Sequence, residues 1–418
     1  MSRIIRLTLA VVVLSAVLPA LPVMAVTSPP PVLPPPLDKC EGGYQASGAV
    51  YAICMPATWN GDLVIFAHGY VAPSEPWSKF VEQLTLPDGT TLPGLVNSLD
   101  FAFATTSYSA NGLAVLPGVR DIKDLVDIFK AKHPETHHVY LTGASEGGLV
   151  TTLAVEQNPT VFSGGLATCG PIGDFRKQIN YWGDFRVVFD YFFPGVLPPT
   201  PVSIPPQVMT NWTTFYAPTI AYAVTQNSHA ASQLLKVTQA AIDPANPATV
   251  VSTTVGLLWY NAFATNDGKL KLGGQPFNNK NPFRWYLGSD NDFKLNRLVQ
   301  RFTADSATAP AIAKHQTSGK LRVPLVTLHT TGDPIVPYWH EPLYTVKSLT
   351  NGSGLLHSNI PILRYGHCNF ESSEVLVGFA LLVLKVTGRE LIGAQTALPD
   401  ANARAKFQSL AHEHGALR

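Results

Sequence analysis

The sequence predicts an α/β fold, in which a mostly parallel β-sheet carries helices on its faces. Two patterns alternate between residues 62 and 170. Short apolar runs rich in β-branched residues are typical of buried parallel strands, and apolar residues at helical spacing are typical of amphipathic helices. Because strand and helix follow one another in turn, we expect parallel strands joined by helical crossovers.

The elements follow in a clear order along this part of the chain. Strand-like apolar runs span residues 62–70, 101–108 and 137–143. Between 119 and 129, apolar residues recur every three or four positions, which predicts a helix after the second strand. The segment "EGGLVTTLAVEQNP" predicts a helix after the third strand, and Pro159 ends it because proline cannot continue a helix.

Length and charge limit the possible partners. The chain has 418 residues, of which 46% are hydrophobic and 14% charged, with a net charge of +1. This is enough chain for one large domain with an insertion. A near-neutral chain without a Lys/Arg block cannot displace counterions from a phosphate backbone, so nucleic acid is not an expected partner.

The first 25 residues have the pattern of a secretory signal peptide. Arg3 and Arg6 give a positive start, an apolar stretch with two prolines follows, and a small-residue cleavage site ends at Ala25. An uncleaved membrane anchor is the alternative, but the apolar stretch is short and interrupted. We therefore expect export to a secreted or periplasmic location, and no stable membrane span in the mature protein.

Composition divides the remaining chain into three parts. Residues 26–39 are dense in proline and predict an extended leader. Residues 40–170 and 320–418 carry the strand and helix patterns of an α/β core. Residues 171–319 are rich in aromatic residues, have helical spacing and offer few strand-like runs, which predicts a mainly helical cap inserted over the site. Such a cap controls the access of substrate and water.

A serine lies on the turn between the third strand and the helix that follows it. Residues 143–147 form the pattern G-x-S-x-G, with Ser145 at its centre. Side chains two residues on either side would collide with the crossing strand and helix, and Gly143 and Gly147 remove them. A plain tight turn is the alternative, which the strand–turn–helix context disfavours. Ser145 is therefore predicted to be an exposed nucleophile.

A serine nucleophile needs a base and a group that orients the base. The apolar run within residues 323–337 is followed by Gly332-Asp333-Pro334, which places a carboxylate directly after a strand. A later apolar run from residue 360 ends at Gly366-His367. The chain order serine, acid, histidine fits this type of elbow, so we predict Asp333 as the orienting acid and His367 as the general base.

Other acids and histidines in this part of the chain have patterns that favour other roles. Acids that do not directly follow a strand-like run are typical of caps, turns or surface charges. These acids are Asp174, Asp184, Asp290, Asp292 and Asp305. His329 lies inside a strand-like run and His340 in the helix-like segment after it, so both are expected to be packed or solvated. The group His133, His137 and His138 lacks partners at metal-ligand spacing, and no metal site is predicted.

Two backbone N–H groups are candidates for an oxyanion hole. One belongs to Glu146, the residue after the nucleophile, and the other to Tyr70, in the loop after the first strand-like run. The Tyr70 ring is also a candidate for contact with the substrate, and packing beside the loop is the alternative.

These motifs together resemble the α/β-hydrolase superfamily, particularly its secreted esterase and lipase-like branches. They are the strand with His68-Gly69, the elbow around Ser145, the Asp333 loop and the Gly366-His367 pair, and they cover roughly residues 60–170 and 320–388. The resemblance implies an eight-stranded type of sheet and ester hydrolysis through an acyl-enzyme, without a cofactor. The single glycine after His68 differs from the longer glycine run of some lipases, so their preference for bulky acyl groups is not implied.

Four cysteines in an exported chain are expected to be paired. Cys40 and Cys54 lie close in sequence and could join the first hairpin, which leaves Cys169 for Cys368. Cys169 and Cys368 should both lie at the carboxyl edge of the sheet, where a bridge would hold the histidine loop beside the elbow. Two other pairings, or free buried thiols, are the alternatives.

Aromatic residues of the insertion are candidates for the substrate pocket. These candidates are Trp182, Phe185, Trp259 and Trp285. Packing within the cap is the alternative for each of them.

The patterns as a whole predict a hydrolase of carboxylic esters, whose substrate is a small-molecule, lipid or polyester ester. A serine peptidase or an acyltransferase would use the same triad. A non-catalytic binding protein would be expected to lack part of it.

Overall fold

The computed structural model describes residues 29–280 and 284–417. The predicted signal peptide and the first residues of the leader lie outside these ranges. None of the helices in the described ranges combines the length and the apolar character that a membrane span requires.

An eight-stranded sheet forms the centre of the structure. Its strands are β1 Glu41–Tyr44, β2 Val50–Cys54, β3 Leu63–Ala67, β4 Ala102–Thr106, β5 Val139–Ala144, β6 Gly164–Thr168, β7 Leu325–Gly332 and β8 His357–Tyr365. Their order is β1-β2-β4-β3-β5-β6-β7-β8. The first two strands form an antiparallel hairpin that pairs antiparallel with β4, and the others are parallel. The predicted α/β-hydrolase fold is confirmed.

Helices connect the parallel strands and fill the long insertion. They are α1 Leu92–Asn97, α2 Val115–Lys132, α3 Glu146–Gln157, α4 Phe175–Phe192, α5 Pro206–Thr210, α6 Ala217–Gln226, α7 Ser228–Thr238, α8 Thr249–Leu272, α9 Asp292–Leu298, α10 Thr308–Ala313, α11 His340–Thr350, α12 Ser372–Thr387 and α13 Ala401–Glu413. A 3₁₀ helix at Trp77–Leu84 precedes α1.

Alternate side chains of the strands face opposite helical layers. Ile65 of β3 is in register with Ala104 and Leu141, and these residues pack with α2 and α3. Val64, one residue earlier, points to the other face, where Leu166 of β6 packs with α12. The sheet is therefore buried on both faces, which explains why its central strands are almost continuously apolar.

Part of the predicted leader packs against the sheet. Residues 31–39 contain no helix or strand, as their prolines predict. The Leu37 side chain is nevertheless fully buried and joins an apolar cluster with Cys54 and Phe103. The packed part of the chain thus begins a few residues before Cys40, because Leu37 packs against β2 and β4.

The insertion between β6 and β7 forms an apolar core of its own. Its described residues contain α4 to α10 and no strand. Phe185, Leu234 and Leu257 are fully or almost fully buried in this core. The long helix α8 is fixed to the α/β core by its Phe263 carbonyl, which accepts a hydrogen bond from Tyr70 Oη at 3.1 Å.

The chain reverses its direction across the sheet at β3. Strand β4 pairs with one side of β3, and β5 pairs with the other side. The loops that follow β3 and β5 therefore meet at the carboxyl end of neighbouring strands, at a topological switch point. Open α/β sheets bind their ligands at such points.

Three glycines, which have no side chain, allow α3 to cross close to the strands. A Cβ atom on Gly147 would collide with the Ala67 carbonyl group at the end of β3, and one on Gly143 would collide with the Gly147 carbonyl group. A Cβ atom on Gly148 would lie 2.8 Å from the Thr168 carbonyl oxygen of β6. Glycine is required at these positions, as the elbow pattern predicts for Gly143 and Gly147.

We expect Gly147→Ala to destabilise the protein strongly, by about 3 kcal/mol or more, because backbone atoms cannot rotate away from the added methyl group as a side chain can. Gly268→Ala near the C-terminal end of α8 is the matched control, since nothing lies within 4 Å of the place that its added methyl group would occupy. It should be neutral or stabilising by about 0.5–1 kcal/mol. Chemical unfolding of the two variants measures both effects, and similar stabilities would contradict the close crossing.

Candidate active site

Ser145 lies in a strained backbone conformation between β5 and α3. Its φ is 56° and its ψ is −121°, although it has a side chain. Its side chain is only partly buried at the carboxyl edge of the sheet. Backbone strain of this kind persists where the surrounding structure enforces it, and it concentrates at functional sites.

The structure brings Ser145, His367 and Asp333 together from three strand ends. His367 follows β8, and its Nε2 lies 2.8 Å from the Ser145 Oγ. Asp333 follows β7, and its Oδ2 lies 2.7 Å from His367 Nδ1. Nδ1–H can therefore donate to the carboxylate while Nε2 accepts from the serine hydroxyl. This arrangement can activate the hydroxyl as a nucleophile.

The Asp333 carboxylate is buried, and both of its oxygens accept hydrogen bonds. Its side chain is shielded from solvent, and its Oδ1 accepts hydrogen bonds from Ile335 N and Val336 N at 2.8 and 2.9 Å. Burial raises the pKa of Asp333, but attraction to His367 and His329 outweighs burial and lowers the pKa below its usual value. Asp333 is therefore ionised at neutral pH and holds His367 by a charged hydrogen bond.

Helix α4 of the insertion holds the loop that carries this acid. Tyr181 Oη donates to the Pro334 carbonyl oxygen at 2.7 Å, and Trp182 Nε1 donates to the Ile335 carbonyl oxygen at 3.0 Å. The insertion thus helps to fix the acid loop as well as covering the site.

His329 is a contact of the acid that the sequence analysis did not identify. It lies in β7, fully buried, with its Nε2 3.4 Å from Asp333 Oδ2 and 2.8 Å from the Val336 carbonyl oxygen. Its Nδ1 lies 3.0 Å from Glu341 Oε1. Of the two expected environments, packed or solvated, His329 has the packed one, but the sequence did not predict its contacts with two carboxylates.

These neighbours keep His329 protonated. Burial alone lowers the pKa of an imidazole, but the hydrogen bonds to Asp333 and Glu341 raise the pKa of His329 to about 10. The other Glu341 oxygen accepts from Thr327 Oγ1 and Asn359 Nδ2. A buried positive charge therefore lies between two carboxylates, directly behind the acid of the site.

Side-chain hydrogen bonds fix the backbone of the loop after β3 around Tyr70. Gly69 N–H donates to Gln83 Oε1 at 2.6 Å, and Gln83 Nε2 donates to the Tyr70 carbonyl oxygen at 3.3 Å. His68 Nδ1–H donates to the Gly69 carbonyl oxygen at 2.7 Å. Tyr70 N–H makes no hydrogen bond within the described chain. Gln83 and His68 thus fix the Gly69–Tyr70 peptide group that carries this N–H.

The His68 ring is neutral and held between two aromatic rings. It stacks on Tyr108 at a centroid distance of 3.9 Å and on Phe80 at 4.9 Å. Burial lowers the pKa of His68 to about 4. A neutral imidazole in this place positions the loop without adding charge to the site.

Glu146 follows the serine and begins α3. Its backbone N–H is among the first of the helix, which have no acceptor within the helix itself. Its side chain is buried, with Oε1 accepting from Ala114 N at 2.7 Å and Oε2 without a partner. Burial raises the pKa of Glu146 to about 8, so the side chain is mostly a neutral acid at neutral pH.

A disulfide joins the histidine loop to the end of β6. Cys169 and Cys368 are bridged across 199 residues, and a second bridge joins Cys40 to Cys54. Cys368 directly follows His367. The position of the histidine loop next to β6 is therefore constrained covalently.

Two cavities reach Ser145 from different sides. The insertion cavity, of about 120 Å³, lies between α3, α4 and α8 and is lined by Ser145 and Glu146. The core cavity, of about 430 Å³, lies between the sheet, α1 and α12 and is lined by Ser145 and His367. Tyr70 and Tyr260 line both cavities.

The aromatic candidates of the insertion differ in their positions. Trp182 lines the insertion cavity and stacks on Tyr260. Trp259 lines neither of the two cavities and makes edge contacts with the rings of Tyr70 and Tyr260, which line both. Trp285 is 52% exposed and lies beside a separate surface groove with Arg284, and Phe185 is buried in the core of the insertion. Aromatic content alone does not reveal which face of a helix a ring occupies.

None of the family models or curated protein sequences compared with the chain matches it. Solved structures similar to the chain include Candida antarctica lipase A, with 12% identity over 90% of this chain and 84% of the lipase and a TM-score of 0.44. Feruloyl esterase B from Aspergillus oryzae has 15% identity over 84% of this chain and 81% of the esterase, with a TM-score of 0.41. An acylaminoacyl peptidase from Pyrococcus horikoshii has 12% identity and a TM-score of 0.39, over 79% of this chain. The chain spans only 38% of that peptidase.

We expect His329→Gln to destabilise the protein in a pH-dependent way. Because the pKa of His329 rises from 6.5 to about 10 on folding, its charge stabilises the folded state fully below pH 6.5, and this stabilisation is lost as the pH rises through 10. The loss in the variant should be about 3 kcal/mol at pH 6 and should shrink towards pH 10. Urea unfolding at several pH values measures it.

His340→Gln is the matched control for this experiment. His340 is also fully buried, but burial lowers its pKa well below the usual value, so it stays neutral in the same pH range. Its stability loss should not change between pH 7.5 and pH 10, where His340 is neutral in both the folded and the unfolded state, whereas the loss in His329→Gln should shrink over this range. An equal pH dependence in both variants would rule out a charged His329.

Proposed function

We propose that the protein is a serine hydrolase that cleaves carboxylic esters through an acyl-enzyme on Ser145. The hydrogen-bonded series from Ser145 through His367 to Asp333, with distances of 2.8 and 2.7 Å, carries this proposal. It combines a nucleophile, a base and a buried orienting carboxylate at the carboxyl edge of an α/β sheet.

The acylation step uses each of these groups. His367 Nε2 takes the proton of the Ser145 hydroxyl as the oxygen attacks the ester carbonyl carbon, and the Asp333 carboxylate stabilises the imidazolium that forms. The N–H groups of Tyr70 and Glu146 are the donors for the oxyanion. His367 then gives its proton to the departing alcohol oxygen, and the acyl group remains on Ser145.

Water completes the cycle by the same route. His367 takes a proton from a water molecule as the water oxygen attacks the acyl carbon, and the proton passes to the Ser145 oxygen when the acid leaves. An acyltransferase would use an alcohol in place of this water, and a peptidase would release an amine.

The walls of the site favour an apolar ester over a peptide. A bound peptide brings N–H and C=O groups that require partners when they are buried. The Gln83 amide and the Trp182 indole N–H, which line the cavities, are already bonded to main-chain groups. An ester joining apolar groups leaves fewer polar atoms unpaired.

We also propose that the enzyme acts outside the cytoplasm, as a secreted or periplasmic protein. The two disulfides support this location because such bridges persist in oxidising compartments.

Ser145→Ala should remove hydrolysis of p-nitrophenyl esters, with a loss in kcat of about 10⁴-fold or more. The matched control is Ser47→Ala in the exposed turn between β1 and β2, which should leave the rate unchanged. Rates across acetate to palmitate esters, together with the matching p-nitroanilides, measure ester and amide turnover. Retained activity in Ser145→Ala would refute the acyl-enzyme, and faster anilide cleavage would favour a peptidase.

The alkaline limit of the reaction is expected to depend on Glu146. Above its pKa of about 8 the side chain becomes a carboxylate next to the backbone donor of the oxyanion, which disfavours the negative transition state. We expect kcat/KM to fall about fivefold or more from pH 7.5 to pH 9.5. Glu146→Gln keeps the acceptor for Ala114 N–H but cannot ionise, so its profile should stay flat, and the same alkaline fall in this variant would exclude Glu146 as the cause.

A further inference from the structure

The two cavities differ in which reacting group they contact. The core cavity includes the side chains of Ser145 and His367. The insertion cavity includes Ser145 and Glu146, and His367 is not among the residues that line it. This difference matters because the two halves of an ester have different needs during the reaction.

The alcohol half must lie beside the base. When the tetrahedral intermediate breaks down, the departing oxygen takes its proton from the imidazolium, which must be within hydrogen-bond reach. The acyl half has no such requirement, because its carbon stays bonded to Ser145. An alcohol in the core cavity would lie next to His367, the group that carries this proton, whereas His367 does not line the insertion cavity.

The floor of the core cavity is one face of the four neighbouring strands β4, β3, β5 and β6. In register across this face are Phe66 of β3, Thr142 of β5 and Leu166 of β6, and Ala144 pairs with Thr168 one step nearer the edge. The small side chains of Ala144 and the threonines leave the space that larger residues fill further down the strands.

Polar atoms in this floor are already used. Thr142 Oγ1 donates to the Ile65 carbonyl oxygen and Thr168 Oγ1 to the Gly143 carbonyl oxygen, both at 3.1 Å. The two threonine hydroxyl protons are therefore already bonded within the sheet. Among the described residues that line it, none is Asp, Glu, Lys or Arg. A ligand with polar groups along its length would lose hydrogen bonds on entry.

The cavity is deep as well as apolar. Its lining reaches Val64, which is in register with Tyr140, four residues before Ala144 on β5. At about 3.3 Å per residue, the cavity extends about 13 Å from the edge of the sheet. Val96 and Leu95 of α1 and Val375 of α12 form the opposite wall.

We infer that the core cavity binds the alcohol half of the ester, and that this half is a long apolar alcohol such as a fatty alcohol, while the insertion cavity binds the acyl half. This inference rests on the proposed ester hydrolysis. In the acylation step the bond from Ser145 Oγ to the acyl carbon forms, the bond from that carbon to the alkoxy oxygen breaks, and the His367 proton passes to this oxygen. The free alcohol is released from the core cavity, and water then frees the acid.

Two isomeric esters test the assignment. Octyl acetate carries its chain on the alcohol, and methyl nonanoate carries an equally long chain on the acid. The wild-type enzyme should cleave octyl acetate with a kcat/KM at least about 100-fold above that for methyl acetate, since each buried methylene contributes several-fold. Acid release at constant pH measures all three rates.

Two cavity-filling variants separate the halves of the substrate. Val96→Trp places an indole in the core cavity and should lower kcat/KM for octyl acetate about tenfold or more, with methyl nonanoate changed less than about twofold. Ala264→Phe, on α8 in the insertion cavity, should have the reverse effect. Neither residue belongs to the proposed catalytic groups.

Selective loss of methyl nonanoate cleavage in Val96→Trp would overturn the assignment, because it would place the acyl half in the core cavity. Equal wild-type rates for octyl acetate and methyl acetate would also overturn it, and this comparison does not depend on how a variant folds. If the proposed ester hydrolysis itself is wrong, the wild-type protein will cleave none of these esters, nor p-nitrophenyl butyrate. That result differs from both outcomes that overturn the cavity assignment.

Discussion

The close crossing of α3 over β3 and β6 is the constraint on which the site depends. Three glycines permit it, because a Cβ atom at Gly143, Gly147 or Gly148 would meet backbone atoms of these elements. The crossing forces Ser145 into its strained conformation with positive φ, brings the start of α3 next to the loop after β3 and sets the position at which both cavities meet. Backbone contacts of this kind cannot relax as side chains do, so the geometry is rigid.

A second layer of organisation is electrostatic. Charges alternate from Glu341 through His329 to Asp333, and His367 extends the series to Ser145. A buried carboxylate without partners would be protonated and could not stabilise an imidazolium. The protonated His329 keeps Asp333 ionised in its buried position while Asp333 Oδ2 contacts His367. The acid that orients the base is thus itself positioned by a permanent charge behind it.

The sequence predicted the parts of the site that are encoded locally. The strands before Ser145 and Asp333 have short apolar runs, the elbow has its glycines in a fixed spacing, and both residues lie directly after a strand. The contacts of His329, and those of Gln83 with the loop after β3, join residues that are distant or unpatterned in the chain, so no local signal reports them. The core cavity was also not predicted, because it arises from the small size of residues such as Ala144 relative to their neighbours in space. The partial burial of Trp259 and the exposure of Trp285 likewise depend on tertiary packing.

The walls of the two cavities come from different parts of the chain. Apart from Tyr260, the core cavity is lined by the α/β core, whereas α4 and α8 of the insertion supply much of the other cavity. Substitutions at separate sites without shared partners usually have additive effects on free energy. Substitutions in the insertion can therefore change the selectivity for the acyl half of the substrate, while the selectivity for the alcohol half stays the same. Tyr70 and Tyr260, which border both cavities, are the positions at which such changes would cease to be independent.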